Sequence, residues 1–352
     1  MAKPALANEK PMKKERKNMK KLISLLTTLA LTAMLPCGCG NDQAQTPTGF
    51  ESNFKVAIVQ QMDHSSLDEI RTAIVARLQE LAQEQGPGKV GIRIEEFNGQ
   101  NDSSTLNQIG SQVVSDGYDM IIPIATTAAQ CMVTAADGSG IPVVYSAISD
   151  PESAGLTGLS DVTGISDALN TQFILDMMLA VQPEVKTVGL LYSNSEINSA
   201  TPIAEAKAYL ESKGIAYLEK TGNSTPEIVE AASSLVGRVD AVFTPTDNVV
   251  MAAEAAVAEL LAEGGIPHYT GADSFVLSGA FAASGVNYTQ LGSQTAELAF
   301  DILTSGTVPT DFQKQEGGII TVNTDTAAQL NLDTAVFAKM ASQVREVTTV
   351  GE

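Results

Sequence analysis

Six short polar stretches each follow directly on an apolar run, at residues 60–66, 125–128, 146–151, 193–198, 245–248 and 271–274. They offer hydroxyls, amides and carboxylates but no Lys or Arg. A pocket for a phosphate or a dicarboxylate would present guanidinium or ammonium groups, so those ligands fit poorly. A single carboxylate asks for less, because hydroxyls and the free backbone amides where a helix begins can hold it, as at Thr126, Thr127 and Ala128. Asp150, Asp247 and Asp273 are then the carboxylates available to an ammonium group. A zwitterion is the solute these stretches suit best. The same residue types also cap helices and turns, so Thr126 and each of the three aspartates has a structural use as well.

Catalytic patterns are missing. The sequence has no Gly-x-Ser-x-Gly elbow, no phosphate-binding P-loop, no His-Glu-x-x-His and no glycine fingerprint after a strand. With two histidines and three cysteines it offers no cluster at zinc-like spacing, so neither a metal nor another cofactor is expected. His268 reads as structural, and Cys131 as a small hydrophobe on an apolar helix face.

The elements that must position these stretches follow an α/β rhythm. Strands are predicted at 54–59, 90–95, 120–124 and 143–145, with helices at 67–85, 102–116 and 127–136 between them. A second unit repeats the pattern, with strands at 187–192, 215–219, 241–244 and 268–270 and helices at 200–213, 226–236 and 248–263. Two doubly wound parallel-sheet lobes are expected, joined by hinge crossings placed at 155–166, 272–278 and 285–288. The expected division is 54–160 plus 287–308 for the first lobe and 161–286 plus 309–346 for the second, with the helix at 291–303 packing back on the first. Ligands of such sheets sit outside the carboxyl ends of the strands, where the six polar stretches fall.

Lys20 and Lys21 lead into an apolar run at 22–35, which closes on Pro36, Cys37, Gly38 and Cys39. About 14 apolar residues fall short of the roughly 20 needed to span a bilayer, so the run reads as an export signal over 1–38. Translation from Met19 would leave an ordinary signal. The Gly38-Cys39 step resembles the lipobox of bacterial lipoproteins, although Pro36 stands where Leu is usual. Cys39 is then the lipidated residue and 39–53 the linker. Residues 1–38 hold eight basic and two acidic side chains, so the remainder carries 13 basic and 39 acidic residues, a formal charge of −26. A body this acidic is repelled by phosphate backbones, which excludes nucleic acid as a partner.

Several stretches together carry a family resemblance: VAIVQQMDHSSLDEIRTAIVARLQELA, IIPIATTAAQ, IPVVYSAISDPESAGL, VTGISD, VGLLYSNSEINS, SSLVGRVDAVFTPTDNVV and GADSFVLSGAFAASGVNYTQLG. From Phe54 to about Leu332 the chain resembles the substrate-binding lipoproteins of ABC transporters with the type 1 periplasmic-binding fold, whose members include tryptophan- and phenylalanine-binding proteins. The family pattern usually has Pro where this chain has Thr127, which leaves an extra hydroxyl in the cleft. The resemblance implies a monomeric, lipid-anchored, exported receptor, not an enzyme. It would close on one solute, an aromatic or branched amino acid, and present it to a permease driven by ATPase subunits. It also implies cleft contacts from Gln61, His64, Thr126, Thr127, Ala128, Ser146, Asp150, Ser193, Glu196, Asn198, Thr246, Asp247, Asn248 and Asp273. A nucleoside or a sugar is the rival ligand, and a secreted α/β hydrolase the enzyme rival.

Overall fold

The computed structural model describes residues 52–350. The signal at 1–38, the lipidation site Cys39 and most of the linker lie outside the described residues, within which no helix is long and apolar enough to cross a membrane.

The chain first lays down β1 (Ser52–Gln60), α1 (Ser65–Glu84), β2 (Val90–Asn98), α2 (Ser103–Ser115), β3 (Met120–Ile124), α3 (Thr126–Ala136), β4 (Val143–Ser146) and β5 (Val162–Ser166). There follow α4 (Thr171–Val181), β6 (Thr187–Tyr192), α5 (Ala200–Lys213), β7 (Ala216–Thr221), α6 (Thr225–Ser233), β8 (Ala241–Thr244), α7 (Asn248–Met251), α8 (Glu254–Glu263), β9 (His268–Thr270), α9 (Asp273–Leu277) and β10 (Ala282–Gly285). The last elements are α10 (Tyr288–Ser305), β11 (Gln313–Lys314), β12 (Ile319–Asn323), α11 (Thr324–Leu330) and β13 (Val344–Val347).

The strands form two sheets, ordered β11-β5-β4-β3-β1-β2 and β13-β12-β10-β9-β8-β6-β7. Every pair is parallel except β10 with β12. β3, β4 and β5 are buried at every residue, as strands covered by helices on both faces must be, and their sequences are correspondingly apolar or small. Within each sheet the five leading strands run in the order 2-1-3-4-5, so the chain reverses direction across the sheet between the first and third strands. Crevices for ligands open at such reversals. Here they are flanked by the turns after β1 and β3 in one lobe and after β6 and β8 in the other.

The division into lobes differs from the sequence expectation. Residues 162–166, assigned to a crossing and the second lobe, form β5 of the first sheet, and 313–314 add β11 beside it. The crossings therefore run at 167–170, 286–287 and 315–318, and the stretch 272–278 is α9 of the second lobe, not a hinge. Helix α10 packs along α1 of the first lobe: a Cβ on Gly292 would lie 2.6 Å from the Ile70 carbonyl oxygen, so only glycine allows this approach. Arg77 Nε donates to Glu297 Oε1 at 3.0 Å across the same contact. The predicted helix at 248–263 is two helices, because α7 ends at Met251 and α8 starts at Glu254.

Candidate functional site

Between the lobes lies a narrow cavity of about 20 Å³, room for little more than one water. The first lobe contributes His64, Ser66 and Leu67 after β1, Ala125 and Thr126 after β3, Ala147 and Ser149 after β4, and Asp167 after β5. The second lobe contributes Asn198, the run Thr246, Asp247 and Asn248, then Met251, Ala272 and Phe275, with Tyr288 at the second crossing. Two of these residues carry backbone strain. Ala125 has φ 76° and ψ 161°, and Ala147 has φ 58°, conformations normally reserved for glycine. Such strain persists only where the surroundings enforce it, and both residues sit at strand ends facing the cavity.

Side-chain hydrogen bonds tie the lobes together around this cavity. Gln61 Nε2 donates to Glu196 Oε1 at 2.7 Å, His64 Nε2 pairs with Asn248 Oδ1 at 3.0 Å, and Ser66 Oγ pairs with Ser274 Oγ at 2.5 Å. Ser149 Oγ lies 3.1 Å from Thr246 Oγ1, and Thr201 Oγ1 donates to Asp150 Oδ2 at 2.7 Å. Glu196 is buried and accepts a second bond from Asn248 Nδ2 at 2.6 Å. Burial, and then the charge of Asp247, push its carboxyl up to about 7.

Asp167 is the carboxylate the sequence reading missed. It is 3% exposed, and the side chains that donate to its oxygens are Ser149, Oγ at 3.1 Å, and Tyr288, Oη at 3.3 Å. Burial pushes its carboxyl above the ordinary range, and the two hydroxyl bonds and its own backbone amide oppose that only in part. The crossing expected from the sequence ends at Ser166, so Asp167, one residue beyond it, falls outside the six polar stretches. Its position was readable in principle, since a polar residue directly after a small, β-branched run matches the six other strand ends.

The aspartates named from the sequence have other work. Asp247 is fully buried and N-caps α7: Oδ1 accepts from the amides of Val249 and Val250, and Oδ2 from the Ser193 amide at 2.7 Å and Ser199 Oγ at 2.6 Å. Four internal donors fill the carboxylate, so it lines the cavity without an acceptor to spare. Asp150 is engaged by Ser153 and Thr201. Asp273 accepts from Arg345 and lies in a separate crevice with Asn287 and Thr321. Ser146 bonds Thr295 of α10, Ser193 organises its own loop with Ser195 and Asn223, and Ala128 is packed in the first-lobe core.

The start of α3 has one first-turn amide engaged and two without a helical partner. Thr127 N donates to Gln61 Oε1 at 3.1 Å, while Thr126 and Ala128, also in the first turn, have no partner within the helix. Two further atoms complete the site: His64 Nδ1 and Asn198 Oδ1 are buried without a hydrogen-bond partner. No group of three or more metal-ligating side chains occurs among the described residues.

Comparison with known proteins accords with this architecture. A family model described as ABC transporter substrate binding protein matches residues 55–344. A tyrosine-binding protein of Clostridioides difficile (strain R20291) is 30% identical over 330 residues, covering 89% of this chain and 93% of the relative. A Streptococcus pneumoniae ABC domain in complex with L-Trp superposes with a TM-score of 0.75 at 30% identity, covering 83% of this chain and 99% of the other. The ligand-free, open structure of a substrate-binding protein with adhesive properties from Clostridium difficile, also 30% identical, covers 84% of this chain and 100% of its own but gives a TM-score of 0.63. At equal identity the chain lies nearer the ligand-bound relative than the open one, as the bonded lobes here require.

Proposed function

The chain belongs to the family of ABC transporter substrate-binding proteins and is a solute receptor; on that premise we propose that its solute is an amino acid with an aromatic side chain. Asp167 carries this reading. It is an enclosed carboxylate held by two hydroxyls and its own backbone amide, and it forms no ion pair among the described residues. Desolvated charge of this kind is costly unless a counter-charge arrives, and the ligand ammonium is the group that supplies one. The ligand carboxylate is assigned to the free amides at the start of α3, beside Thr126. The ring is assigned to the apolar part of the cleft, formed by Leu67, Ala147, Met251, Ala272 and Phe275.

A cavity of about 20 Å³ is far smaller than any amino acid, so the lobes must part to admit one. Contacts made only when they close on the solute then shift the open–closed equilibrium. The closed receptor would deliver its solute to a permease with ATPase subunits, on the outer side of the membrane, held there through Cys39. The names of the two relatives, one tyrosine-binding and one bound to L-Trp, support the aromatic class. Calorimetric titration of the protein, stripped of carried-over solute, with the common amino acids, nucleosides and sugars tests it. Binding of one aromatic amino acid is expected; binding only of nucleosides or sugars would overturn the zwitterion assignment.

A further inference from the structure

Resting on the amino-acid reading above, we infer that His64 makes the receptor selective for side chains carrying an N–H or O–H donor, so that tyrosine or tryptophan is accepted and phenylalanine is discriminated against. The inference starts from a chain of hydrogen bonds that has one consistent polarity while Glu196 is ionised, above its titration at about 7. An ionised Glu196 can only accept, so Asn248 must turn its amide nitrogen toward it, at 2.6 Å. The Asn248 oxygen is thereby left for His64 Nε2 at 3.0 Å, which must carry the proton. Gln61 fits the same scheme, giving its nitrogen to Glu196 while its oxygen accepts from Thr127. Burial lowers the pKa of His64, which keeps the ring neutral. Its Nδ1 is therefore a bare lone pair, buried at the cavity wall with no partner.

Asn198 repeats the arrangement from the opposite lobe. Its nitrogen donates to the Thr246 carbonyl at 2.7 Å, which leaves Oδ1 as a second buried, unpartnered acceptor. The buried unpartnered side-chain atoms lining the cleft are thus both acceptors. A ligand that fills the cleft without offering donors leaves them desolvated and unpaired, a penalty that selects against it. His64 also stands away from the ammonium site. Asp167 follows β5 and His64 follows β1, and in the sheet order β5-β4-β3-β1 these strand ends are three steps apart, about 14 Å at about 4.8 Å each.

Titration calorimetry with L-tyrosine, L-tryptophan and L-phenylalanine, on the wild-type protein and on His64→Phe and His64→Gln, tests the inference. Tyrosine or tryptophan should bind at least tenfold more tightly than phenylalanine. The ratio should collapse in His64→Phe and recover in part in His64→Gln, which restores an acceptor. A merely structural role for His64 would weaken all three ligands together and leave the ratio unchanged, which would overturn the inference. Nitrogen-15 NMR of the wild-type imidazoles offers a check free of folding defects, because the sequence has only two histidines to assign. An unprotonated Nδ1 whose resonance shifts on adding tyrosine but not phenylalanine is expected, and a protonated Nδ1 would refute the proposed polarity. Phenylalanine binding within threefold of tyrosine would mean the two acceptors serve the ammonium group, which overturns this selectivity and leaves the amino-acid reading intact. Failure of all three to bind would instead remove that reading, and this inference with it.

Discussion

Replacing Asp167 by Asn should separate binding from stability, because the two respond to its charge with opposite sign. An ammonium group about 3 Å from the carboxylate interacts by about 5.5 kcal/mol at an effective dielectric constant of about 20. Desolvation of both ions offsets part of this, so a net loss of about 2–4 kcal/mol is expected for Asp167→Asn, about 30- to 1000-fold in Kd. The ligand-free protein should not suffer. Asn has nearly the same shape, the Ser149 and Tyr288 hydroxyls can each rotate to suit it, and a buried charge with no opposite partner is gone. The urea midpoint without ligand should therefore stay level or rise, while calorimetry records the affinity loss. A Kd within threefold of wild type would refute the assignment of the ammonium group to Asp167. A parallel fall of affinity and stability would show that Asp167 holds the crossing together instead.

Three further outcomes follow from neighbouring groups. Asp247→Ala strips four internal donors of their acceptor and should cost about 3–5 kcal/mol of folding stability by denaturant titration, a structural loss unlike that at Asp167. Closure buries Glu196 and lifts its carboxyl to about 7, so the closed form holds a proton more tightly than an open one with an ordinary carboxylate. Solute affinity should then rise as pH falls from 8 to 6, with proton uptake visible as a dependence of binding heat on buffer, and Glu196→Gln should flatten the trend. Gly164→Ala would place a methyl 2.2 Å from the Tyr145 carbonyl oxygen and against its ring, so the variant should lose about 3 kcal/mol or more and melt well below wild type.

Much of the α/β rhythm was legible because strands such as Met120–Ile124 are uninterrupted apolar runs set between polar turns. Gly164 shows where legibility ended. A glycine inside Val162–Ser166 suggested a linker, yet it is there because the neighbouring Tyr145 leaves no room for a Cβ. Helix Thr171–Val181 went unread although Gln172 and Asp176, four apart, mark a polar side opposite Ile174, Leu175 and Met178, because only two polar residues interrupt its apolar run from Gln172 onward. The cleft turns were read correctly as places, and less well as roles. Asp247 and Asp167 are both aspartates at strand ends, and no sequence pattern states that one is surrounded by four donors while the other is enclosed with fewer, burial raising its carboxyl. That difference arises from tertiary contacts such as Ser199 with Asp247, 48 positions apart.

The three crossings at 167–170, 286–287 and 315–318 are each at most four residues long. Each lobe alone presents half a site and would hold its solute weakly. Tethered this closely, the second half meets a solute already on the first as an intramolecular partner, at an effective concentration in the millimolar range or above. Linkage of this kind raises overall affinity by about 10²- to 10⁴-fold without adding a contact. The brevity of the crossings is therefore itself a source of affinity, and lengthening one of them with a flexible insert would weaken binding while leaving every cleft residue in place.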